Sequence, residues 1–215
     1  MIEIRKYESK LLSSNMYVVV EGDRAVVIDP FENIEPVKGL QTECILLTHE
    51  HYDHISGVNL WKKETNVPVI CSNACAANIC NPKKNLAQYF RTFCELQTWA
   101  NADEVPPYDP EYRCQADDVF TDRQEYGWLG HKWQLFELPG HSPGSIGILL
   151  DGENFFSGDS LIKNFKANFG APGGSRKQWE TISVPRLRHI SEGIRVYPGH
   201  FGGFIYDVNE LLYWP

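Results

Sequence analysis

The sequence predicts one domain of mixed α/β structure, residues 1–215, and three observations lead to this prediction. A chain of 215 residues, 42% of them hydrophobic, can bury a core without a second domain. Residues 2–7 alternate like a strand, and 16–21 and 24–29 are mainly apolar with the turn Glu21-Gly22-Asp23 between them, which is typical of consecutive antiparallel strands. The apolar runs at 44–48 and 67–71 are each followed by a helical pattern, so we expect strands and helices to alternate there.

Composition and charge exclude several classes of partner. The formal net charge of −8 leaves no basic face for nucleic acid or for an anionic membrane surface. The N-terminal residues lack the apolar core of an export signal, and no apolar run is long enough to span a bilayer. The six cysteines contain no C-x-x-C pair and suggest reduced thiols. We therefore expect a cytoplasmic protein that binds neither nucleic acid nor membrane.

The most informative stretch is T-H-E-H-Y-D-H, residues 48–54, which contains three of the seven histidines and one aspartate. It follows the apolar run 44–47 and precedes a helical pattern that begins at Ile55, so it lies on a strand-to-helix turn. Burying four such groups without partners would cost several kcal/mol apiece, which argues against a purely structural role. Neutral imidazoles and a carboxylate are ligands of zinc, and also of iron or manganese. The stretch therefore predicts a metal site.

The spacing within this stretch indicates two ions rather than one. His49 and His51 are two residues apart on an extended segment and project the same way, whereas Asp53 and His54 lie where the chain turns into the helix. Four ligands so close in sequence cannot all reach one ion without strain. Further ligands must come from downstream, where three apolar strands each end in a glycine followed by a ligand-type residue: Gly140-His141, Gly158-Asp159 and Gly199-His200.

These motifs resemble those of the metallo-β-lactamase-fold hydrolases, whose signature is T-H-x-H-x-D-H followed by separate His, Asp and His motifs. The resemblance covers the chain from the strand that ends at Asp29 to His200. It implies a four-layer αββα sandwich with the site at one edge, between two sheets, and an aspartate at position 29 beside the metal loop. The implied ligands are His49, His51 and His141 on one metal and Asp53, His54 and His200 on the other, with Asp159 bridging both.

The resemblance also implies an activity. Two zinc ions, or alternatively iron or manganese, would share a bridging hydroxide that attacks a small-molecule ester or thioester. Asp53 would anchor the second ion and orient the nucleophile, which makes it the expected catalytic residue. The layout is similar to short relatives of glyoxalase II, which hydrolyse thioesters such as lactoylglutathione. The sequence ends soon after His200, so we expect a general thioesterase or esterase rather than an enzyme specific for glutathione. β-Lactamases of this fold generally lack the aspartate that stands here at position 159.

Three other functions remain open at this stage. A persulfide dioxygenase of the same fold binds a single iron through residues matching His49, His141 and Asp159, and it is an oxidoreductase. A phosphodiesterase or nuclease uses the same two-metal chemistry, although the missing basic face argues against it. A non-catalytic protein that kept the fold is disfavoured by the complete set of ligands. The oligomeric state is also open.

Residues 81–117 form the least typical part of the sequence and are expected to cover the site. Apolar residues at helical spacing run through 86–96, with an aromatic stripe of Tyr89, Phe90, Phe93 and Trp99. The stripe either lines an apolar substrate pocket or packs against the sandwich. The sequence does not distinguish the two.

Overall fold

Two six-stranded sheets form the centre of the computed structural model, which describes residues 1–96 and 105–209. The strands are β1 (Glu3–Glu8), β2 (Asn15–Glu21), β3 (Arg24–Ile28), β4 (Gln41–Leu46), β5 (Val69–Ser72), β6 (Asp118–Phe120), β7 (Arg123–Trp128), β8 (His131–Glu137), β9 (Ile146–Leu150), β10 (Asn154–Gly158), β11 (Arg195–Pro198) and β12 (Phe204–Ile205). The helices are α1 (Tyr52–Ile55), α2 (Val58–Thr65), α3 (Asn73–Ile79), α4 (Phe90–Leu96), α5 (Arg176–Gln178) and α6 (Val184–Leu187).

The order of the strands sets which loops meet. In the first sheet the order is β1 to β6; β1, β2 and β3 pair antiparallel, and β3 to β6 pair parallel. In the second sheet the order runs from β12 to β7, and β10 and β11 are its parallel pair. Neighbouring parallel strands end at the same edge of a sheet, so the loops after β3 and β4, and those after β10 and β11, are brought together in pairs.

The alternation of side chains along β2 shows how the sheets are buried. Tyr17 and Val19 belong to the core between the two sheets, whereas Val18 and Val20 belong to the core beneath the helices. All four are buried, because successive strand residues point to opposite faces and both faces are covered. Residues 16–20 of this strand are therefore all apolar.

Helices cover the outer face of each sheet. On the first sheet, Ile55 and Trp61 of α1 and α2 are fully buried against strand residues. On the second, Trp179 and Leu187 pack on residues of β8, β10 and β11. The layers therefore follow the order αββα, as the resemblance implied. None of the helices in the described residues has the length and hydrophobicity needed to cross a bilayer.

The structure corrects several element boundaries. The strand expected at 44–48 is Gln41–Leu46, and the helix expected from residue 55 begins earlier, at Tyr52, and is interrupted before α2. The interruption falls at Gly57, where a Cβ would lie 2.3 Å from the Phe31 carbonyl oxygen. A helix begins after Ser175, whose Oγ accepts a hydrogen bond from the Gln178 amide.

Three strands were not predicted: β6, β7 and β12. β6 and β12 are only three and two residues long, and β7 is an edge strand whose sequence, R-Q-E-Y-G-W, is largely polar. Short or polar edge strands give no periodic apolar signal.

His131 links the two sheets electrostatically. It begins β8; its Nδ1 lies 2.6 Å from Asp151 Oδ2, and its Nε2 contacts Glu21 at the end of β2. Asp151, together with Glu21, raises the pKa of His131 above its ordinary value.

We expect the stabilising effect of His131 to depend on pH. A raised folded-state pKa contributes stability that is complete below the unfolded-state pKa of about 6.5 and is lost as pH rises through the folded-state value. The difference in free energy of unfolding between wild type and His131→Asn should be largest near pH 5.5 and should shrink at alkaline pH. Urea titrations across this range measure it, with the exposed His189→Asn as control. A difference independent of pH would contradict the prediction.

Candidate metal centre

The seven predicted site residues lie at one edge of the sandwich, on loops that leave carboxyl ends of strands. β4 ends at Leu46, and the T-H-E-H-Y-D-H stretch follows and turns into α1. β10 and β11, which pair parallel, are followed by Asp159 and His200, and His141 comes four residues after β8. The first sheet thus supplies four of the side chains and the second sheet supplies three.

The side chains converge in two groups. His49, His51 and His141 each place one donor atom within 4.8 Å of the others. Asp53, His54 and His200 do the same. All six residues are buried, with at most 4% of their surface exposed.

Asp159 lies between the two groups. Its Oδ2 is 3.3 Å from His200 Nε2 and 3.7 Å from His141 Nε2, and its Oδ1 is 3.5 Å from His54 Nε2. One carboxylate therefore reaches donors of both groups, which is the position that a bridging ligand occupies.

The separations between donors fit shared metal ions. His51 Nδ1 lies 3.0 Å from His141 Nε2, and His54 Nε2 lies 3.3 Å from His200 Nε2. Two nitrogens, each 2.0–2.1 Å from one tetrahedral ion, are roughly 3.3 Å apart. His49 Nε2 and Asp159 Oδ1 are buried and have no hydrogen-bond partner in the described structure. Such atoms are costly to bury unless a cation satisfies them, so the residues present fit divalent metal.

The opposite ring nitrogens of two histidines are fixed by backbone carbonyls. His141 Nδ1 lies 3.0 Å from the oxygen of Asn168, and His200 Nδ1 lies 3.0 Å from the oxygen of Leu12. Each bond is satisfied when Nδ1 donates its hydrogen, so that Nε2 is the ring nitrogen that faces the centre.

Asp29 orients the metal loop and does not point its oxygens at the centre. It accepts hydrogen bonds from the Thr48 amide at 2.7 Å and from Thr48 Oγ1, and its Oδ2 lies 3.1 Å from His54 Nδ1. Its distances to His49 and His54 would also allow it to join a third group of donors. With both oxygens already engaged, orientation of His54 is the better assignment.

The charges of the two groups differ. Burial and the neighbouring His141 lower the pKa of His51 to about 3, and burial likewise lowers the pKa of His49 and of His141. Burial alone would also lower the pKa of His200, but Asp159 and Asp53 raise it to about 9. The three-histidine group is therefore neutral, whereas the second group balances imidazolium against carboxylate.

Two glycines allow the loops of the two sheets to approach this closely. A Cβ on Gly199 would lie 2.1 Å from Asp159 Oδ1. Gly158 has a φ of +50°, and its Cβ would lie 2.6 Å from Thr48 Oγ1. A larger residue at either position would push the donor loops apart.

Glu50 is the site residue that sequence reasoning missed. It lies between His49 and His51 and is 1% exposed. Its carboxylate accepts hydrogen bonds from Asn78 Nδ2 at 2.7 Å, Ser142 Oγ at 2.7 Å and the Gly144 amide at 3.1 Å. Burial raises the pKa of Glu50, and these donors offset part of that rise. The sequence contained one signal for this role: Glu50 is a charged residue within a stretch of predicted metal ligands.

A cavity of about 80 Å³ opens onto the centre. Its lining includes His141, Asp159 and His200, and its apolar wall is made of Leu12, Phe93, Ile162, Phe165 and Phe201. A larger cavity, about 330 Å³, lies between β7, β8, β9 and the segment after α6, and contains none of the seven residues. The small cavity is therefore the candidate for substrate.

The aromatic residues predicted within 81–117 have different roles: one lines the cavity and another packs in the core. Phe93 lines the cavity, and its ring centroid is 6.5 Å from that of His51. Phe90 is buried in the core with its ring 5.1 Å from Tyr52, and Tyr89 is 45% exposed. Trp99 lies outside the described residues.

Comparison with known proteins identifies the family. Residues 10–200 match the model of the metallo-beta-lactamase superfamily. The chain belongs to this superfamily. The matched region includes all seven predicted site residues.

Two relatives of this superfamily member are hydrolases by name. A "probable metallo-hydrolase" of Streptococcus pyogenes serotype M6 is 26% identical over 208 residues, which cover 93% of this chain and 84% of that protein. Hydroxyacylglutathione hydrolase 1 of Vibrio vulnificus is 24% identical over 90% of this chain, which spans 64% of its length. The crystal structure of BLEG-1 B3 metallo-beta-lactamase shares the fold, with a TM-score of 0.75, 22% identity, and coverage of 98% and 96% of the two chains. The chain is therefore a metallo-hydrolase of this superfamily.

We expect Glu50 to position His141 for metal binding. In Glu50→Gln an amide NH₂ replaces one oxygen, so at least one of the three donors loses its acceptor. The free energy of unfolding of the metal-free protein should fall by about 1–3 kcal/mol, as measured in urea. The affinity for zinc, measured by chelator competition, should fall by roughly 10–100-fold. Glu64→Gln, on the exposed face of α2, is the matched control. Unchanged zinc affinity in Glu50→Gln would show that Glu50 has no such role.

Proposed function

We propose that the protein hydrolyses a small-molecule ester or thioester with the help of two divalent metal ions, zinc in the first instance. The observation on which this rests is the position of Asp159 between two groups of buried donors, because one carboxylate shared by two groups suits a pair of neighbouring ions. The hydroxyacylglutathione hydrolase among the relatives supports a thioester.

The proposed ligands are the seven residues that the sequence indicated. One ion would be held by His49, His51 and His141, the other by Asp53, His54 and His200, with Asp159 contacting both. The hydrogen bonds that orient His54, His141 and His200 support this assignment, since metal-binding imidazoles commonly donate their second N–H to a carboxylate or carbonyl.

When bound, the two ions would act as Lewis acids toward the substrate oxygen and would lower the pKa of a water molecule. The protein's own residues do the rest. Asp53 Oδ2 lies 3.4 Å from both His54 Nε2 and His200 Nε2, so its carboxylate is fixed in the second group and can accept a proton from the attacking water. Asp159 sets the spacing of the groups and compensates positive charge.

The lining of the cavity supports water as the nucleophile. It contains neither serine nor cysteine among the described residues, so no side chain is placed to form an acyl intermediate. The apolar wall limits the access of bulk water and strengthens the electrostatic interactions at the reacting carbonyl. The net charge of −8 favours a small molecule over a nucleic acid as substrate.

The deciding experiment combines metal analysis with a substrate panel. Protein expressed without added zinc should contain two ions per chain. It should hydrolyse aryl or alkyl thioesters and esters faster than aryl phosphodiesters. Chelation should abolish turnover, and added zinc should restore it. A single iron per chain, with oxygen uptake when a persulfide is added, would show that the protein is a dioxygenase and not a hydrolase of esters. A preference for phosphodiesters would show that it is a phosphodiesterase.

Two substitutions should separate metal binding from proton transfer. His51→Ala removes a donor of the three-histidine group, so metal content and turnover should fall together. Asp53→Asn should retain at least one ion but lower kcat by about 10²–10⁴-fold, because the proton acceptor is lost. Metal content by mass spectrometry and steady-state kinetics measure the two effects, with His189→Ala and Asp23→Asn as controls distant from the site. Full activity in Asp53→Asn would remove Asp53 from the mechanism.

A further inference from the structure

Two phenylalanine rings stack at the mouth of the small cavity. The centroids of Phe165 and Phe201 are 4.7 Å apart and their planes differ by 10°. Both rings line the cavity that contains Asp159 and His200, and Phe165 is nevertheless 41% exposed. An exposed aromatic face beside a buried polar centre is a binding surface for an apolar group.

The backbone of Phe201 is held in an unfavourable conformation. Its φ is +64°, in the left-handed region that bulky side chains rarely adopt. The conformation is fixed from the first sheet, since the Phe201 carbonyl accepts hydrogen bonds from Asn15 Nδ2 at 2.9 Å and from Lys6 Nζ at 3.3 Å. Asn15 is 1% exposed and also donates to the Pro198 carbonyl. A buried side chain therefore fixes the residue that directly follows His200, and with it the place of the Phe201 ring.

The size of the cavity limits what it encloses. Its volume of about 80 Å³ is far below the ~300–1,000 Å³ of pockets that enclose a drug-sized ligand. The reacting carbonyl and a few neighbouring atoms fill it, so the rest of a substrate lies across the rim. Phe165 and Phe201 form one side of that rim, and the aliphatic and aromatic wall of Leu12, Phe93 and Ile162 completes the apolar lining.

We propose that the Phe165–Phe201 pair binds an aromatic or branched apolar group adjacent to the scissile bond and thereby selects apolar thioesters. This inference rests on the proposed hydrolysis of thioesters. The shared chemistry is the apolar group, which either the acyl or the thiol half of the substrate can supply.

Three thioesters distinguish these sources: S-ethyl thioacetate, its phenylacetyl analogue and S-benzyl thioacetate. In the wild type, one of the two aromatic compounds should have a KM about tenfold below that of S-ethyl thioacetate. Phe165→Ala and Phe201→Gly should each raise the KM of the favoured aromatic compound about tenfold and should raise the KM of S-ethyl thioacetate by much less, so that most of the advantage is lost. The substrate that loses its advantage identifies the half that contacts the pair.

Leu129→Gly is the matched control for Phe201→Gly. Leu129 is also a non-glycine residue at positive φ, +49°, and is 45% exposed in the turn between β7 and β8. If Phe201→Gly does not fold, Phe165→Ala alone tests the proposal, because the Phe165 side chain is 41% exposed. Equal KM values for the three compounds in the wild type, or equal losses on all three in the variants, would overturn the inference and leave the hydrolase proposal intact.

Binding decides the inference even if no thioester is hydrolysed. Isothermal titration calorimetry of the metal-loaded protein compares phenylacetate with acetate and benzyl alcohol with ethanol. If one aromatic ligand binds more tightly than its aliphatic partner, and Phe165→Ala removes this difference, the proposed role of the Phe165–Phe201 pair is supported. Equal binding within both pairs refutes it, whatever the outcome of the activity panel.

Discussion

One carboxylate, Asp159, stands between two groups of buried nitrogen and oxygen donors, and the geometry of the centre depends on keeping both groups beside it. Burial keeps the three-histidine group neutral, while Asp53 and Asp159 raise the pKa of His200 in the other. The buried His49 Nε2 and Asp159 Oδ1 have no hydrogen-bond partner in the described residues, and a divalent cation would satisfy both atoms. The donor set therefore fits metal ions.

The geometry of the centre is fixed by contacts that join the two sheets. The Tyr17 hydroxyl of β2 donates to the Pro198 carbonyl at 2.7 Å, and Asn15 holds the same turn, so the first sheet fixes the loop that contains His200. Glu50 does the same for the loop that contains His141. Donor positions thus depend on hydrogen bonds between sheets, which tolerate little displacement.

The fold of this chain does not by itself determine its substrate. A metallo-beta-lactamase with a TM-score of 0.75 shares the architecture and is named for a different activity from that of the hydroxyacylglutathione hydrolase relative. The donors of the centre lie on loops after the strands, and Phe93, Phe165 and Phe201 line the cavity beside them. In the proposed function, substrate contacts depend on these three side chains rather than on the sheets.

The types and spacing of the donors could be predicted from the amino-acid sequence, because the T-H-E-H-Y-D-H stretch and the glycine-ligand pairs are local patterns at strand ends. Most central strands could be predicted too, since their two buried faces require continuous apolar runs. The folded structure was needed to assign the roles of Glu50 and Asn15, to distinguish Phe90 from Phe93, and to locate β7. Each of these depends on partners distant in sequence: a carboxylate between two histidines looks like a loop residue until Ser142 and Gly144 fold onto it. Local spacing specifies which atoms can bind, and long-range packing specifies where they point.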